Sequence, residues 1–225
     1  MPARVLRKPA TRFDTMYPPT QGEAAAPRPF HRLLFLVGGG LAAVIGAYLL
    51  TAPLAPGGAT ITTAIGIQPA VALPMMLLGF LIPAAVGAAL GFFARRFPAI
   101  VAIVGIAVMA IGISVSGIAP NFLLLVAGSV VTGFGAGAVW GSVTVVALAA
   151  GGNKVVELSV LGGAVVLALA VGPFVSGAIN MSLSFRIGHY MTVPPLLVAL
   201  VIAIIAAAAR DNRTMPQQTT VQPGP

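Results

Sequence analysis

Few side chains in this sequence could carry out chemistry. The chain has four acidic residues, Asp14, Glu23, Glu157 and Asp211, together with two histidines and no cysteine. Without cysteine there is no disulfide, thiolate metal site or cysteine nucleophile. The sequence contains no His, Asp and Glu cluster with the spacing of a metal site, and no histidine is placed to activate a serine. We therefore predict no enzyme activity, no catalytic residue, no metal and no cofactor.

Two ionisable residues beside apolar stretches are candidates for a proton-linked role. Glu157 follows Lys154 at the start of an apolar run, where it is either a proton carrier or a solvated charge favoured by the helix dipole. His189 lies beside Arg186 and Tyr190, as either a pH sensor or an interfacial residue. Buried carboxylates are the usual proton carriers in membranes. Because none lies in the middle of an apolar run, the sequence argues against strong proton coupling.

Polar residues inside the apolar runs are the candidates for a substrate cavity. They are Ser129, Thr132, Trp140 and Ser176, with Asn180 and Ser182 as further polar groups. A hydroxyl in such a run either binds a ligand or bonds to a backbone carbonyl of its own helix. Trp140 is either an anchor at the membrane interface or a surface on which an amphipathic substrate stacks.

The composition indicates which elements must position these residues. Of the 225 residues, 58% are apolar and 7% are charged, whereas a soluble domain has about 25% charged residues. Such a chain cannot cover a water-facing surface, so we predict an integral membrane protein in contact with the lipid bilayer. A spanning helix needs about 20 apolar residues. An all-α polytopic bundle of six transmembrane helices is predicted, at about 33–52, 70–93, 99–118, 122–149, 157–179 and 191–209.

Polar segments flank this predicted transmembrane domain, residues 32–210. The basic segment 1–31 and the segment 211–225 predict disordered tails, because they lack apolar residues to offset the entropy of ordering. With six spans, eleven of the twelve Lys and Arg residues fall on the side of the termini and only Arg186 on the other. The positive-inside rule then predicts that both termini lie in the cytoplasm. This role explains the net charge of +8 without a nucleic-acid partner. We expect a multi-pass protein of the bacterial inner membrane.

Glycines at four-residue spacing mark two predicted helices. Gly133, Gly137 and Gly141 form a smooth stripe on the fourth, and Gly87 and Gly91 repeat the spacing on the second. Small residues allow close backbone approach in a membrane, where burial of leucine does not drive association. The stripes predict either tight packing inside the bundle or a sliding contact between moving helices.

The fifth predicted helix contains two adjacent helix breakers, Gly172 and Pro173. Proline removes one backbone hydrogen bond and clashes with the carbonyl four residues back. In a membrane the freed groups must be satisfied by neighbours or by water. The pair is either a mild structural kink or a hinge in a moving helix.

This layout resembles the N-terminal six-helix half of the major facilitator superfamily, especially its drug–proton antiporter branch. That branch carries a G-P-x-x-G-G signature in its fifth helix, which the stretch GPFVSG from Gly172 to Gly177 matches with Ser176 at the first of the two final glycines. Gly163 fits an earlier glycine of the same motif.

Two further motifs of the family are partly present. The loop between the second and third helices matches G-x-x-x-D-R-x-G-R at Gly91 and Arg96, with Arg95 in place of the aspartate. The fourth helix keeps the glycines of G-x-G-x-G from Gly133 to Gly137, with Ser129 where the family has an arginine.

The resemblance implies one half of a transporter, which moves a small amphipathic or hydrophobic solute by alternating access. In this family the substrate site lies between two six-helix halves, and helices one, four and five would line the cavity. The second half would be a second copy in a homodimer or a separate chain. The altered motifs favour a different hypothesis, a non-transporting scaffold or regulatory subunit derived from a transporter half. A truncated product without activity is a third.

Overall fold

A computed structural model describes residues 29–54, 65–93, 95–149 and 154–211, and the regular elements in these ranges are helices. These are α1 (Pro29–Thr51), α2 (Pro69–Phe93), α3 (Pro98–Ile118), α4 (Phe122–Leu148), α5 (Lys154–Ser182), α6 (Phe185–Tyr190) and α7 (Val193–Asp211), with a 3₁₀ turn at Ala52–Leu54 after α1. Six segments are long and apolar enough to cross a membrane. Spans one to five are α1 to α5, and span six consists of α6 and α7. The predicted all-α bundle of six spanning helices is confirmed.

The observed helices extend beyond several predicted limits. Span one begins at Pro29 and span five at Lys154, because a charged residue at a helix end lowers hydropathy without breaking the helix. The predicted tails otherwise lie at 1–28 and 212–225, outside the described residues. The placement of both termini in the cytoplasm stays a prediction.

Side-chain caps explain where two helices begin. Asn121 accepts a hydrogen bond from the amide of Leu124 at 2.9 Å at the start of α4. Ser184 has the same role at the start of α6, where it accepts from the amide of Ile187 at 3.5 Å. Such caps satisfy amides that have no partner within the helix. Span six was predicted to begin at residue 191, so this cap and the whole of α6 were missed.

The glycine stripe of α4 lies against the backbone of α2. A Cβ atom built on Gly133, Gly137 or Gly141 contacts the carbonyl oxygen of a residue in α2. Gly87 and Gly91 face α4 in the same way, and a Cβ on Gly91 lies 2.5 Å from the Ala138 oxygen. The five glycines predicted to pack helices thus lie together in one close contact.

α4 also packs closely on α3, through a different face. A Cβ on Gly135 lies 2.5 Å from the Gly105 oxygen and 2.6 Å from the Met109 nitrogen. Met109 and Val139 are fully buried between these helices. α4 therefore lies between α2 and α3 with glycine on both sides.

The remaining helices assemble around α1. α1 packs on α5 and α7 and also contacts α4, while α3 packs on both helices of span six. α5 is the least buried span: 6% of the residues in its most apolar window are buried, against 28–50% in the other five. α5 is therefore the most loosely packed of the six spans.

Candidate functional site

A small cavity with a mixed polar and apolar lining, here called the inner cavity, lies inside the bundle. It is formed by the last turns of α1, α3 and α5, the first half of α2 and α4, and α6, so it lies at the end opposite the chain termini. Its volume of about 30 Å³ is enough for about two water molecules. Its polar lining residues are Tyr48, Ser116, Ser129, Thr132, Ser176, Asn180 and His189. Three of the four predicted cavity residues, Ser129, Thr132 and Ser176, thus meet here.

The two hydroxyls of α4 are held by their own helix. Thr132 Oγ1 donates to the carbonyl of Gly128 at 2.8 Å, and Ser129 Oγ donates to the carbonyl of Leu125 at 3.0 Å. Each bond uses the one hydroxyl hydrogen and leaves the oxygen lone pairs. The α4 side of the cavity therefore offers acceptors.

The Gly-Pro motif brings α5 onto α1 beside this cavity. A Cβ on Gly172 contacts Oγ1 of Thr51, so glycine at this position permits the close approach. One turn later Ser176 Oγ donates to the carbonyl of Ala52 at 3.3 Å, and Asn180 Nδ2 donates to Ser176 Oγ at 3.4 Å. The motif therefore positions the α5 wall of the inner cavity.

The other residues of this motif have different surroundings. Pro173 is half-buried inside a helix that continues through it, and Gly177 is buried. Gly163 is exposed on α5, and no atom lies within 4 Å of a Cβ built on it. Gly163 therefore does not take part in the contact that Gly172 makes.

His189 of α6 closes one side of the inner cavity. Its Nδ1 lies 2.9 Å from the carbonyl oxygen of Phe185. Because a carbonyl only accepts, Nδ1 carries the hydrogen, and the neutral ring keeps an acceptor lone pair on Nε2. Neither interpretation of His189 includes this position, because the predicted span six begins at residue 191 and leaves His189 outside the bundle.

A wider depression, here called the outer groove, adjoins the inner cavity. It has a volume of about 420 Å³ and is lined by Ile65, Pro120, Asn180, Leu183, Ser184, Phe185 and Arg186. Asn180 lines both spaces, so the groove and the cavity meet at this residue. The guanidinium carbon of Arg186 lies 5.8 Å from the centre of the Phe185 ring. One cationic group and several apolar groups therefore line the outer groove beside the inner cavity.

An ion pair joins α1 to α5 at the opposite end of the bundle. Arg32 binds Glu157, with 17% and 30% of the two side chains exposed. Glu157 does lie in the first turn of α5, but it is paired across helices rather than simply solvated. Among the side chains that the structure describes, Glu157 is the one carboxylate, and it lies far along α5 from the cavity.

The remaining predicted residues lie away from both spaces. Trp140 Nε1 donates to the carbonyl of Ala43 at 3.0 Å, and its ring centre lies 6.4 Å from that of Phe80. Trp140 thus ties α4 to α1 and does not line the inner cavity. Arg95 and Arg96 are exposed in the turn between α2 and α3, with the Arg95 guanidinium 4.2 Å from the centre of the Phe92 ring.

The described residues of this bundle offer hydrogen-bond acceptors around the inner cavity and one arginine on the outer groove. They include no group of three or more His, Asp or Glu that could hold a metal. No protein-family model and no curated protein matches the chain, so its function has to be inferred from its own residues.

Proposed function

We propose that this membrane protein is one six-helix half of a transporter of the major facilitator type. It moves a small amphipathic or hydrophobic solute by alternating access, together with a second half. The second half is a second copy of the chain or a separate six-helix unit, because in this architecture the substrate passes between two halves.

The pairing of the spans is the observation that supports this proposal best. Span four packs on spans two and three, and span one packs on spans five and six; spans one and four touch, as do spans three and six. If span one is exchanged with span four, span two with span five and span three with span six, the same set of span contacts results. The exchanged spans cross the membrane in opposite directions, since their numbers differ by three. Inverted repeats of three plus three helices are the plan of each half of these transporters.

The location of the inner cavity gives a second line of support. It lies next to the contact between α1 and α5, and α5 is the least buried span. Cavities that hold a drug-sized solute have volumes of about 300–1,000 Å³, so an inner cavity of about 30 Å³ is too small to hold one in this conformation. In a paired transporter the second half would pack against the exposed face of α5. Movement of α5 away from α1 would then connect the inner cavity to the space between the halves, with loss of the Ser176 bond to Ala52. The Arg32–Glu157 pair would have to break for the opposite end to open.

A second candidate function is a scaffold or regulatory subunit that does not transport. The small volume of the inner cavity favours it, as does the engagement of Glu157 with Arg32 far from that cavity. In this case α5 stays against α1, and the polar residues hold only water.

The absence of cysteine from the sequence allows a direct test. Ser176→Cys would be introduced into vesicles of known orientation and labelled with a membrane-impermeant maleimide from each side. Alternating access predicts labelling from both sides, whereas a fixed scaffold predicts labelling from one side at most. Gly163→Cys is the matched control, because this position faces outward from the same helix and should be insensitive to opening of the cavity.

The mass of the particle in native lipid completes the test. A dimer, or a complex with another six-helix chain, is expected for a half transporter. A monomer that is labelled from one side only would refute the proposal and favour the scaffold.

A further inference from the structure

We propose that the outer groove and the inner cavity bind a small amphipathic monoanion, with its negative group at Arg186 and its apolar part along Phe185 and Leu183. The inference rests on the proposed transport function and names the class of solute. It follows from the charges at this end of the bundle, from the free donors of Arg186 and from the mixed lining of the groove.

Arg186 stands apart from the other basic residues. At the cavity end of the bundle, residues 52–68, 119–121 and 183–192 contain no Asp, Glu or Lys and only this one Arg. The other eleven basic residues belong to the opposite end when the chain has six spans. The positive-inside rule accounts for those eleven but not for a cation on the other side. The position of Arg186 is therefore not explained by membrane orientation.

The described surroundings of Arg186 use little of its binding capacity. Its Nη2 lies 3.5 Å from the Ala119 carbonyl oxygen, at the limit for a hydrogen bond, and its guanidinium lies near the Phe185 ring. A guanidinium has five N–H donors in a planar fork that matches a carboxylate. The nearest carboxylate among the described side chains, Glu157, is bound by Arg32 at the far end. An anionic solute would thus meet an arginine whose donors are available.

The rest of the lining selects for size and shape. Ile65, Pro120, Leu183 and Phe185 give the groove apolar walls, and its volume of about 420 Å³ falls in the range of ligand sites. Beyond the groove, the neutral amide of Asn180 and several neutral hydroxyls line the inner cavity. A cationic solute would meet the charge of Arg186 with no carboxylate among the described residues nearby. A monoanion with one aromatic or branched apolar group fits these surroundings best.

Three probes of one shape and different charge test the inference. They are 4-fluorobenzoate, 4-fluorobenzamide and 4-fluorobenzylamine, titrated by fluorine NMR against the full-length chain in nanodiscs of zwitterionic lipid. We expect the benzoate to bind at least ~10-fold more tightly than the amide or the amine, since charge-assisted bonds exceed neutral ones by this order.

Substitutions assign the selectivity to one residue. Arg186→Gln should weaken benzoate binding about 10-fold and leave the amide unchanged, whereas Arg186→Lys should retain part of the preference. Arg95→Gln is the matched control, because Arg95 is also exposed beside a phenylalanine ring but lies at the other end. Emission from Trp140, the only tryptophan, would verify that each variant is folded.

The outcomes separate this inference from the transport proposal. Equal binding of the benzoate and the amide, no effect of Arg186→Gln, or no binding of any probe overturns the anion site. If Ser176→Cys is still labelled from both sides in that case, transport stands and only the solute class is wrong. If the benzoate binds through Arg186 but labelling is one-sided, the site stands and the transport proposal fails.

Discussion

The contact between α2 and α4 leaves so little room that one methyl group should weaken it. A Cβ built on Gly137 contacts the carbonyl oxygen of Ala84 and lies 2.7 Å and 2.8 Å from its carbonyl carbon and Cα. Ordinary van der Waals contact begins at 3.4 Å, so the two helices must separate by about 0.7 Å or more. All three atoms belong to the backbone, and no side-chain rotation can relieve the overlap.

We therefore expect Gly137→Ala to lower the free energy of unfolding by ~1–3 kcal/mol, the range for an added methyl group in a packed interior. This corresponds to a change of about 5- to 150-fold in the unfolding equilibrium constant. Gly163→Ala is the matched control on α5, because no atom lies within 4 Å of its Cβ. The control should leave stability unchanged or raise it by up to ~1 kcal/mol, because alanine favours a helix more than glycine does.

Steric trapping in mixed micelles would measure the free energy of reversible unfolding of both variants under the same conditions. A wild-type stability for Gly137→Ala would mean that α2 and α4 do not approach as closely as described here. An equal loss in both variants would point to a general effect of replacing glycine and would also refute the reasoning.

Three further predictions concern contacts of α1. Gly172→Ala should destabilise the bundle because its Cβ contacts Thr51 Oγ1, and Thr51→Ala should restore about 1 kcal/mol in a double-mutant cycle; additive losses would contradict this contact. Glu157→Gln and Arg32→Gln should show a coupling energy of at most ~1 kcal/mol that decreases with added salt, since both side chains are partly exposed. Coupling that salt does not change would show a more deeply buried pair. Trp140→Phe should cost ~1 kcal/mol of unfolding free energy through loss of its bond to an α1 carbonyl; unchanged thermal stability would show that this bond contributes nothing.

The sequence was sufficient to predict the number and type of the spans. Runs of apolar residues determine where a chain can cross a membrane, since backbone groups there must be bonded within the helix. The spacing of Gly133, Gly137 and Gly141 also identified one face of α4, because glycine at this period has a geometric meaning that leucine lacks.

The composition of the inner cavity could be predicted only in part. Apolar residues surround most of each span, so the sequence does not indicate how a helix is rotated about its axis. Tyr48 and Ser116 line the cavity but lie in apolar runs with no distinguishing pattern. His189 falls outside the predicted span six, and the capping residue Ser184 is the one sequence signal that α6 precedes that span. The pairing of Arg32 with Glu157 spans 125 residues, and no local pattern relates them.

The placement of α1 has a consequence for the order in which the protein is made. α1 has its main contacts with α4, α5 and α7 and few with α2, its neighbour along the chain. A chain is synthesised from its N-terminus, so span one enters the bilayer before any of these partners exists. α2, α3 and α4, by contrast, can complete their contacts once α4 is inserted. Assembly should therefore begin in the middle of the chain, and span one should join after the ribosome has passed residue 157, when Glu157 first becomes available to Arg32.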